Sequence, residues 1–132
     1  MSDPDPYGQQ MKSKGGIGRV FKALGYTWDG LKAAAEHEEA FKQELYVITP
    51  MAIAAWLVPV SFLERALLFS VLMLILIVEL INSAIEANTD HISLERHPLA
   101  KRAKDMGSAA VFLAIVVAVA VWVGVLWQRY HG

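Results

Sequence analysis

The chain has 132 residues, of which 55% are hydrophobic and 19% charged, with a formal net charge of −1 and no cysteine. That length suits one domain, and the composition is apolar for a soluble one. The near-neutral charge supplies no basic field for nucleic acid, and the lack of cysteine excludes disulfides, thiolate metal sites and thiol nucleophiles.

Residues 1–16 are rich in Asp, Pro, Gly, Gln and Lys and have nothing to bury, so a disordered tail is expected there. The opening Met1 to Tyr7 has no apolar core followed by a cleavage site, so no removable signal peptide is expected. From Ile17 the pattern turns amphipathic. Arg19-Val-Phe-Lys22-Ala-Leu24 is a short amphipathic piece, and Gly25 is expected to interrupt it. Leu31, Ala34, Ala35, Phe41 and Leu45 then recur at helical spacing, with Glu38 on the same stripe. With Trp28, Phe41 and several lysines, residues 17–44 fit a helix lying on a membrane surface. An ordinary amphipathic helix with Glu38 at the edge of its stripe reads equally well.

Three apolar stretches follow, and the expected architecture is an all-α membrane protein. The first span, about 41–58, reaches the ~20 residues needed for ~30 Å of hydrocarbon only by starting near Phe41. It contains Pro50, which a lipid-embedded helix tolerates when neighbours satisfy the freed carbonyl. Pro59 to Arg65 reads as a turn. The second span, about 63–90, is unbroken from Ala66 to Val78 except for Ser70. A charged loop with Pro98 leads to the third span, about 104–128, where Trp122 and Trp127 are expected as interfacial anchors and the alanines Ala109, Ala110, Ala114, Ala118 and Ala120 as helix-packing positions. Of the twelve Lys and Arg, six lie before or at the start of the first span, the last of them Lys42, and Arg96, Lys101, Arg102 and Lys104 lie between the second span and the start of the third. Only Arg65 and Arg129 remain for the other side. The positive-inside rule therefore puts the N-terminus and the 89–103 loop in the cytoplasm, with the C-terminus opposite.

The second span ends in Glu79-Leu-Ile-Asn82-Ser-Ala-Ile-Glu86-Ala-Asn-Thr-Asp90. With Glu79 at zero, Asn82, Ser83, Glu86 and Asp90 fall at about −60°, +40°, −20° and +20° around a helix. All the polar groups share one face. A carboxylate at membrane depth costs at least about 2.5 kcal/mol, so such a residue implies function. Topology puts Glu79 inside the cytoplasmic half of the membrane, with Glu86 and Asp90 at its surface. Carboxylates at an aqueous boundary suit Mg²⁺, which takes one or two of them together with phosphates. Lys and Arg suit phosphate oxygens. A glutamate in apolar surroundings makes a better base at neutral pH than one in water. These parts fit phosphoryl transfer to a lipid-borne hydroxyl, although no Walker or protein-kinase motif is present. Two other classes stay open: a small ion-coupled transport subunit, since intramembrane acids also mark ion pathways, and an assembly protein whose polar face joins copies. Arg96, Lys101 and Arg102 read more simply as topology-setting and headgroup charges. The four histidines have no metal-site spacing. Asp90 reads either as a helix cap or as part of the site. Lys104 opens the third span beside Asp105, a candidate partner for it.

Gly25-Tyr-Thr-Trp28-Asp-Gly-Leu31, Glu39-Ala-Phe-Lys-Gln-Glu44, Val78-Glu-Leu-Ile-Asn-Ser-Ala-Ile-Glu86-Ala and Arg102-Ala-Lys-Asp-Met-Gly-Ser108-Ala-Ala-Val111 closely resemble the small bacterial integral-membrane diacylglycerol kinases. The resemblance runs from about Gly18 to the C-terminus, and the Met-Gly-Ser of 106–108 looks like the diacylglycerol branch rather than the related undecaprenol kinases. It implies transfer of phosphate from MgATP to diacylglycerol, giving phosphatidic acid and ADP, by a homotrimer in the bacterial inner membrane. It further implies that Glu79 is the general base and that Glu38 and Glu86 bind the metal. Arg19, Tyr26, Glu95, Arg96, His97, Lys104 and Asp105, with Glu38 and Glu86, match nucleotide-binding positions. Arg19, Trp28, Asn82 and Ser108, with Glu79, match the lipid-substrate side. The first sixteen residues have no clear counterpart in the family, and the loop Ser93-Leu-Glu-Arg-His97-Pro98 departs from it in detail.

Overall fold

The computed structural model describes residues 16–92 and 98–132, which divide in sequence into two compact units between His37 and Glu38. Helices α1 (Ile17–His37), α2 (Glu39–Leu57), α3 (Phe62–Ile92) and α4 (Pro98–His131) make up almost all of it. The described residues contain no strand. Residues 1–15 of the expected 1–16 tail and the 93–97 stretch of the loop lie outside the described residues.

The first unit is α1. Gly25 does not interrupt it. Glycine inside a helix costs only about 1 kcal/mol relative to alanine, and the amphipathic pattern on both sides outweighs that. Ile17, Val20, Phe21, Leu24, Trp28 and Leu31 recur along one side and are all exposed, a continuous apolar stripe of the kind that sinks into a membrane surface. Trp28 belongs to this stripe. Arg19, nine residues earlier, falls about 180° away, and Tyr26 falls within about 20° of Arg19.

The second unit is a three-helix hairpin sequence, α2–α3–α4. The segment expected as one helix over 17–44 is broken at Glu38, whose backbone is extended (φ −103°, ψ 109°). The Glu38 carbonyl accepts the first bond of α2, from Lys42 N at 3.1 Å, but its carboxylate caps nothing. Pro50 is accommodated inside α2. At the far end of α2 the chain turns sharply, and the exposed carbonyls of the last turn need donors. Arg65 provides them: Nη1 donates to the carbonyls of Ala55 and Trp56, both at 2.6 Å, and Nη2 to Val60 at 3.3 Å. Ser61 and Glu64 form a reciprocal capping box at the start of α3, with Ser61 N donating to Glu64 Oε1 (3.0 Å) and Glu64 N to Ser61 Oγ (3.1 Å).

Helices α3 and α4, of 31 and 34 residues, are long and apolar enough to cross a membrane, and α2 falls short of that test. At 19 residues it is too short for a spanning stretch to leave out Lys42, Gln43 and Glu44 near its start. The core runs along the middle of the hairpins, where Leu68, Val71, Leu72 and Ile75 of α3 meet Ile48 and Ala55 of α2 and Ala114, Ala118 and Trp122 of α4. Ala114 and Ala118 are thus packing positions, whereas Ala109, Ala110 and Ala120 stay exposed. Trp122 is not the anchor its sequence position suggested. It is 9% exposed, and its indole N–H donates to the Leu68 carbonyl at 3.3 Å. An indole inside a packed core needs such an acceptor. Trp127 is exposed, as an interfacial anchor should be.

Candidate functional site

The polar face of α3 turns inward. Glu79, Asn82 and Ser83 are 4%, 7% and 8% exposed, the buried polar residues of a core that is otherwise apolar. Along the axis, Asn82, Glu86 and Asp90 lie about 4.5, 10.5 and 16.5 Å beyond Glu79 at ~1.5 Å per residue. Burial falls off along that ladder: Glu86 is half-buried and Asp90 exposed. The face therefore passes from a dry end at Glu79 to a wet end at Asp90.

Neighbouring helices hold these groups in place. On α4, Gly107 is buried, and a Cβ there would collide with the Asn82 amide oxygen. The absence of a side chain lets the Asn82 amide lie against the α4 backbone. Its Nδ2 donates to Glu86 Oε1 at 3.4 Å, and Thr89 Oγ1 donates to the Glu86 carbonyl at 3.1 Å. Glu38 and Glu86 both lie close enough to act electrostatically on Glu79. At the wet end Lys104 Nζ donates to Asp90 Oδ1 at 2.7 Å, tying α4 to α3. Lys104 does not pair with Asp105. Adjacent helical residues diverge by about 100°, and Asp105 instead takes Lys101, one turn away, at 2.6 Å. Asp90 is thus an ion-pair partner rather than a cap.

Helix α2 adds Glu44, to which the sequence pattern alone attaches no role. The carboxyl of Glu44 lies near enough to that of Glu79 for each to act electrostatically on the other. Its Oε2 is buried without a hydrogen-bond partner among the described residues, as are Asn82 Oδ1 and Ser83 Oγ. Ser83 Oγ approaches the Glu79 carboxyl without an aligned hydrogen bond. Glu44 also stands at the edge of an apolar groove of about 540 Å³ between α2, α3 and α4, and it is the one charged residue of that lining.

The structure thus gathers Glu44, Glu79, Asn82 and Ser83, with Glu86 and Glu38 near enough to influence Glu79. Ser108 is exposed on α4. Arg19, Tyr26 and Trp28 belong to the first unit, where Arg19 and Tyr26 share one side of α1 and Trp28 lies opposite. Glu95, Arg96 and His97 fall outside the described residues. Among the described residues no three His, Asp or Glu converge as a ready-made metal cage. Two half-exposed carboxylates, Glu38 and Glu86, do suit Mg²⁺, which keeps waters and phosphate oxygens for its remaining positions.

The family profile described as prokaryotic diacylglycerol kinase matches residues 25–126. The chain belongs to that family. It is similar to the diacylglycerol kinase of Escherichia coli K12, with 52% identity over 87% of this chain and 94% of the relative. It is 47% identical to that of Pseudomonas aeruginosa PAO1 over 93% of this chain and 97% of the relative. The Helicobacter pylori 26695 diacylglycerol kinase is 43% identical, covering 87% and 86%. The chain is accordingly a lipid kinase, an ATP-dependent phosphotransferase, and a bacterial membrane protein.

Proposed function

We propose that this enzyme transfers the γ-phosphate of ATP to the free hydroxyl of diacylglycerol at the cytoplasmic face of the inner membrane, giving phosphatidic acid and ADP. The observation that bears the reading is the graded face of α3, with a buried glutamate below and half-exposed carboxylates above. A lipid hydroxyl is available at the depth of Glu79, and a nucleotide is available only where water reaches Glu86, Glu38 and Lys104.

In this reading Glu79 accepts the hydroxyl proton as the acceptor oxygen attacks the γ-phosphorus, and the bond from phosphorus to the ADP oxygen breaks. Asn82 and Ser108 flank the acceptor. Glu38 and Glu86 hold Mg²⁺, which when bound neutralises charge on the phosphates. Lys104 leaves Asp90 for phosphate oxygens, a change between two exposed ionic partners with little net cost. Arg19, Tyr26 and Asp105, with the Glu95 to His97 segment, contact the nucleotide. On α1 the opposed directions of Arg19 and Trp28 favour dividing the two roles, Arg19 with Tyr26 toward water and Trp28 toward lipid. The rise of about 10 Å between Glu79 and Glu86 is too large for both to hold one ion. It suits an acceptor hydroxyl at one end and a metal-bound triphosphate at the other.

The membrane arrangement follows the same logic, with α2 as a third span, the α3–α4 loop cytoplasmic and the C-terminus outside. The enzyme works as a homotrimer, a number implied by the family resemblance. The test is incorporation of labelled phosphate from ATP by purified protein in detergent, with diacylglycerol or undecaprenol as acceptor. Strong labelling of diacylglycerol supports the proposal. Preferential labelling of undecaprenol would move the enzyme to the other branch, and labelling of neither would return the transport and assembly readings.

A further inference from the structure

We propose that Asn82, seated against Gly107 of α4, is a positioning residue that holds the Glu86 carboxylate in the orientation that receives the metal. The inference rests on the reading of Glu86 as a Mg²⁺ ligand.

The Asn82 side chain is fixed at both ends. Its Nδ2 donates to Glu86 Oε1 at 3.4 Å, one helical turn further along α3. An ionised carboxylate only accepts hydrogen bonds, so the amide presents its N–H₂ to Glu86 and keeps its oxygen on the other side. The residue is buried, so its surroundings confine the amide. Gly107 makes the seat. A Cβ built there would lie 3.1 Å from Asn82 Cγ and closer still to Oδ1, whereas one at Gly25, Gly30 or Gly124 would meet nothing within 4 Å. Of these four helical glycines, Gly107 is the one whose missing side chain makes room for a neighbour.

Asparagine is a poor choice here if packing or helix stability were the aim. A hydrogen-bonded pair four residues apart supports a helix equally on an exposed face, where no polar group leaves water. Here the amide is buried, its Oδ1 has no partner among the described residues, and α4 carries a glycine inside the helix to admit it. An aliphatic side chain would fill the space without those costs. What the amide alone supplies is a donor for Glu86. A glutamate has three side-chain torsions, and Glu86 is only half-buried. Thr89 also bonds to this residue, but its Oγ1 meets the backbone carbonyl and leaves the carboxylate unheld. A bond to Oε1 restrains the carboxylate and leaves Oε2 for the ion. Ligating carboxylates are held by such outer-shell donors, whose loss weakens metal affinity roughly 10- to 100-fold.

Transfer rates alone would not separate this role from a contact between Oδ1 and the acceptor, so metal binding is read directly. The test measures Mn²⁺ binding by electron paramagnetic resonance on the full-length enzyme, with a non-hydrolysable ATP analogue and no acceptor lipid. Wild type, Asn82→Leu, Gly107→Ala and Glu86→Gln are compared, and thermal melts check that each is folded. Asn82→Leu keeps the volume and removes the donor. It is expected to weaken Mn²⁺ binding roughly tenfold or more and to raise the Mg²⁺ concentration for half-maximal transfer by a similar factor. A role in packing alone would leave both unmoved. Gly107→Ala dislodges the amide and should weaken Mn²⁺ binding in the same direction. Should Asn82→Leu disturb the fold, Asn82→Ala removes the donor without bulk and is read the same way. Adding Asn82→Leu to Glu86→Gln should weaken binding no further, because a positioning residue acts only through the group it positions. Wild-type binding in Asn82→Leu or Gly107→Ala, beside weakened binding in Glu86→Gln, would overturn the proposal while leaving the metal reading standing. A full additional loss in the double variant would overturn it as well, since Asn82 would then act by another route. Wild-type binding in Glu86→Gln would remove the metal reading itself.

Discussion

The two ends of the α2–α3–α4 unit handle polar groups in opposite ways. At the turn between α2 and α3, side chains answer several polar groups that the geometry strands. Arg65 takes three carbonyls, and Ser61 and Glu64 cap each other's backbone N–H. At the other end, Glu44, Asn82 and Ser83 each keep a buried oxygen without a partner among the described residues, and Glu79 is buried among them. The first end is built for stability. The second tolerates buried polar atoms at a cost in stability, as expected of a site with a role in the proposed reaction.

Substitutions at the two ends should therefore separate activity from stability. Short of the Glu79 carboxyl itself, the largest effect is expected at Gly107. A methyl group there meets the Asn82 amide, and displacing a substrate-side group by about 1 Å can cost ~10²-fold in rate. Adding Asn82→Ala to Gly107→Ala should restore thermal stability but not activity. If Gly107→Ala retains full kcat, the close approach has no catalytic consequence. Next come the carboxylates at the wet end. Glu38→Gln or Glu86→Gln should raise the Mg²⁺ concentration for half-maximal rate by at least roughly tenfold, since even outer-shell partners of a metal are worth that much. Identical metal titrations in both variants and wild type would defeat the metal assignment.

Effects at the turn should be smaller and of a different kind. Arg65→Ala strands carbonyls at the end of α2 and should destabilise the fold by roughly 1–3 kcal/mol, with kcat per folded molecule unchanged. Ser61→Ala removes an N-cap and should cost roughly 1 kcal/mol. A thermal melt and a specific-activity assay on the same samples check both. A fall in specific activity without a fall in melting temperature would erase the contrast between the ends.

Legibility in the sequence follows the same division. The polar face of α3 was readable because helical periodicity alone puts Glu79, Asn82, Ser83 and Glu86 on one side, and burial of Glu79, Asn82 and Ser83 agrees with it. Groups whose meaning depends on another helix were not. Glu44 looked like one charge among several at the start of an apolar stretch, and only the packing of α2 on α3 brings it to Glu79. Lys104 looked like a partner for Asp105, whereas its partner Asp90 lies across the loop. Trp122 has the composition and position of an anchor, and only the α3 carbonyl beneath it reveals a core residue. The break at Glu38 has no Pro, Gly or capping side chain to announce it.

The central claim is that the buried carboxyl of Glu79 takes the proton from the lipid hydroxyl. The most direct measurement is single-turnover transfer of labelled phosphate from ATP to diacylglycerol by Glu79→Gln, with ATP binding and thermal stability measured on the same protein. A folded, nucleotide-binding enzyme whose transfer rate falls by about 10²–10⁴ is the expected result. Transfer at a rate close to wild type would contradict it.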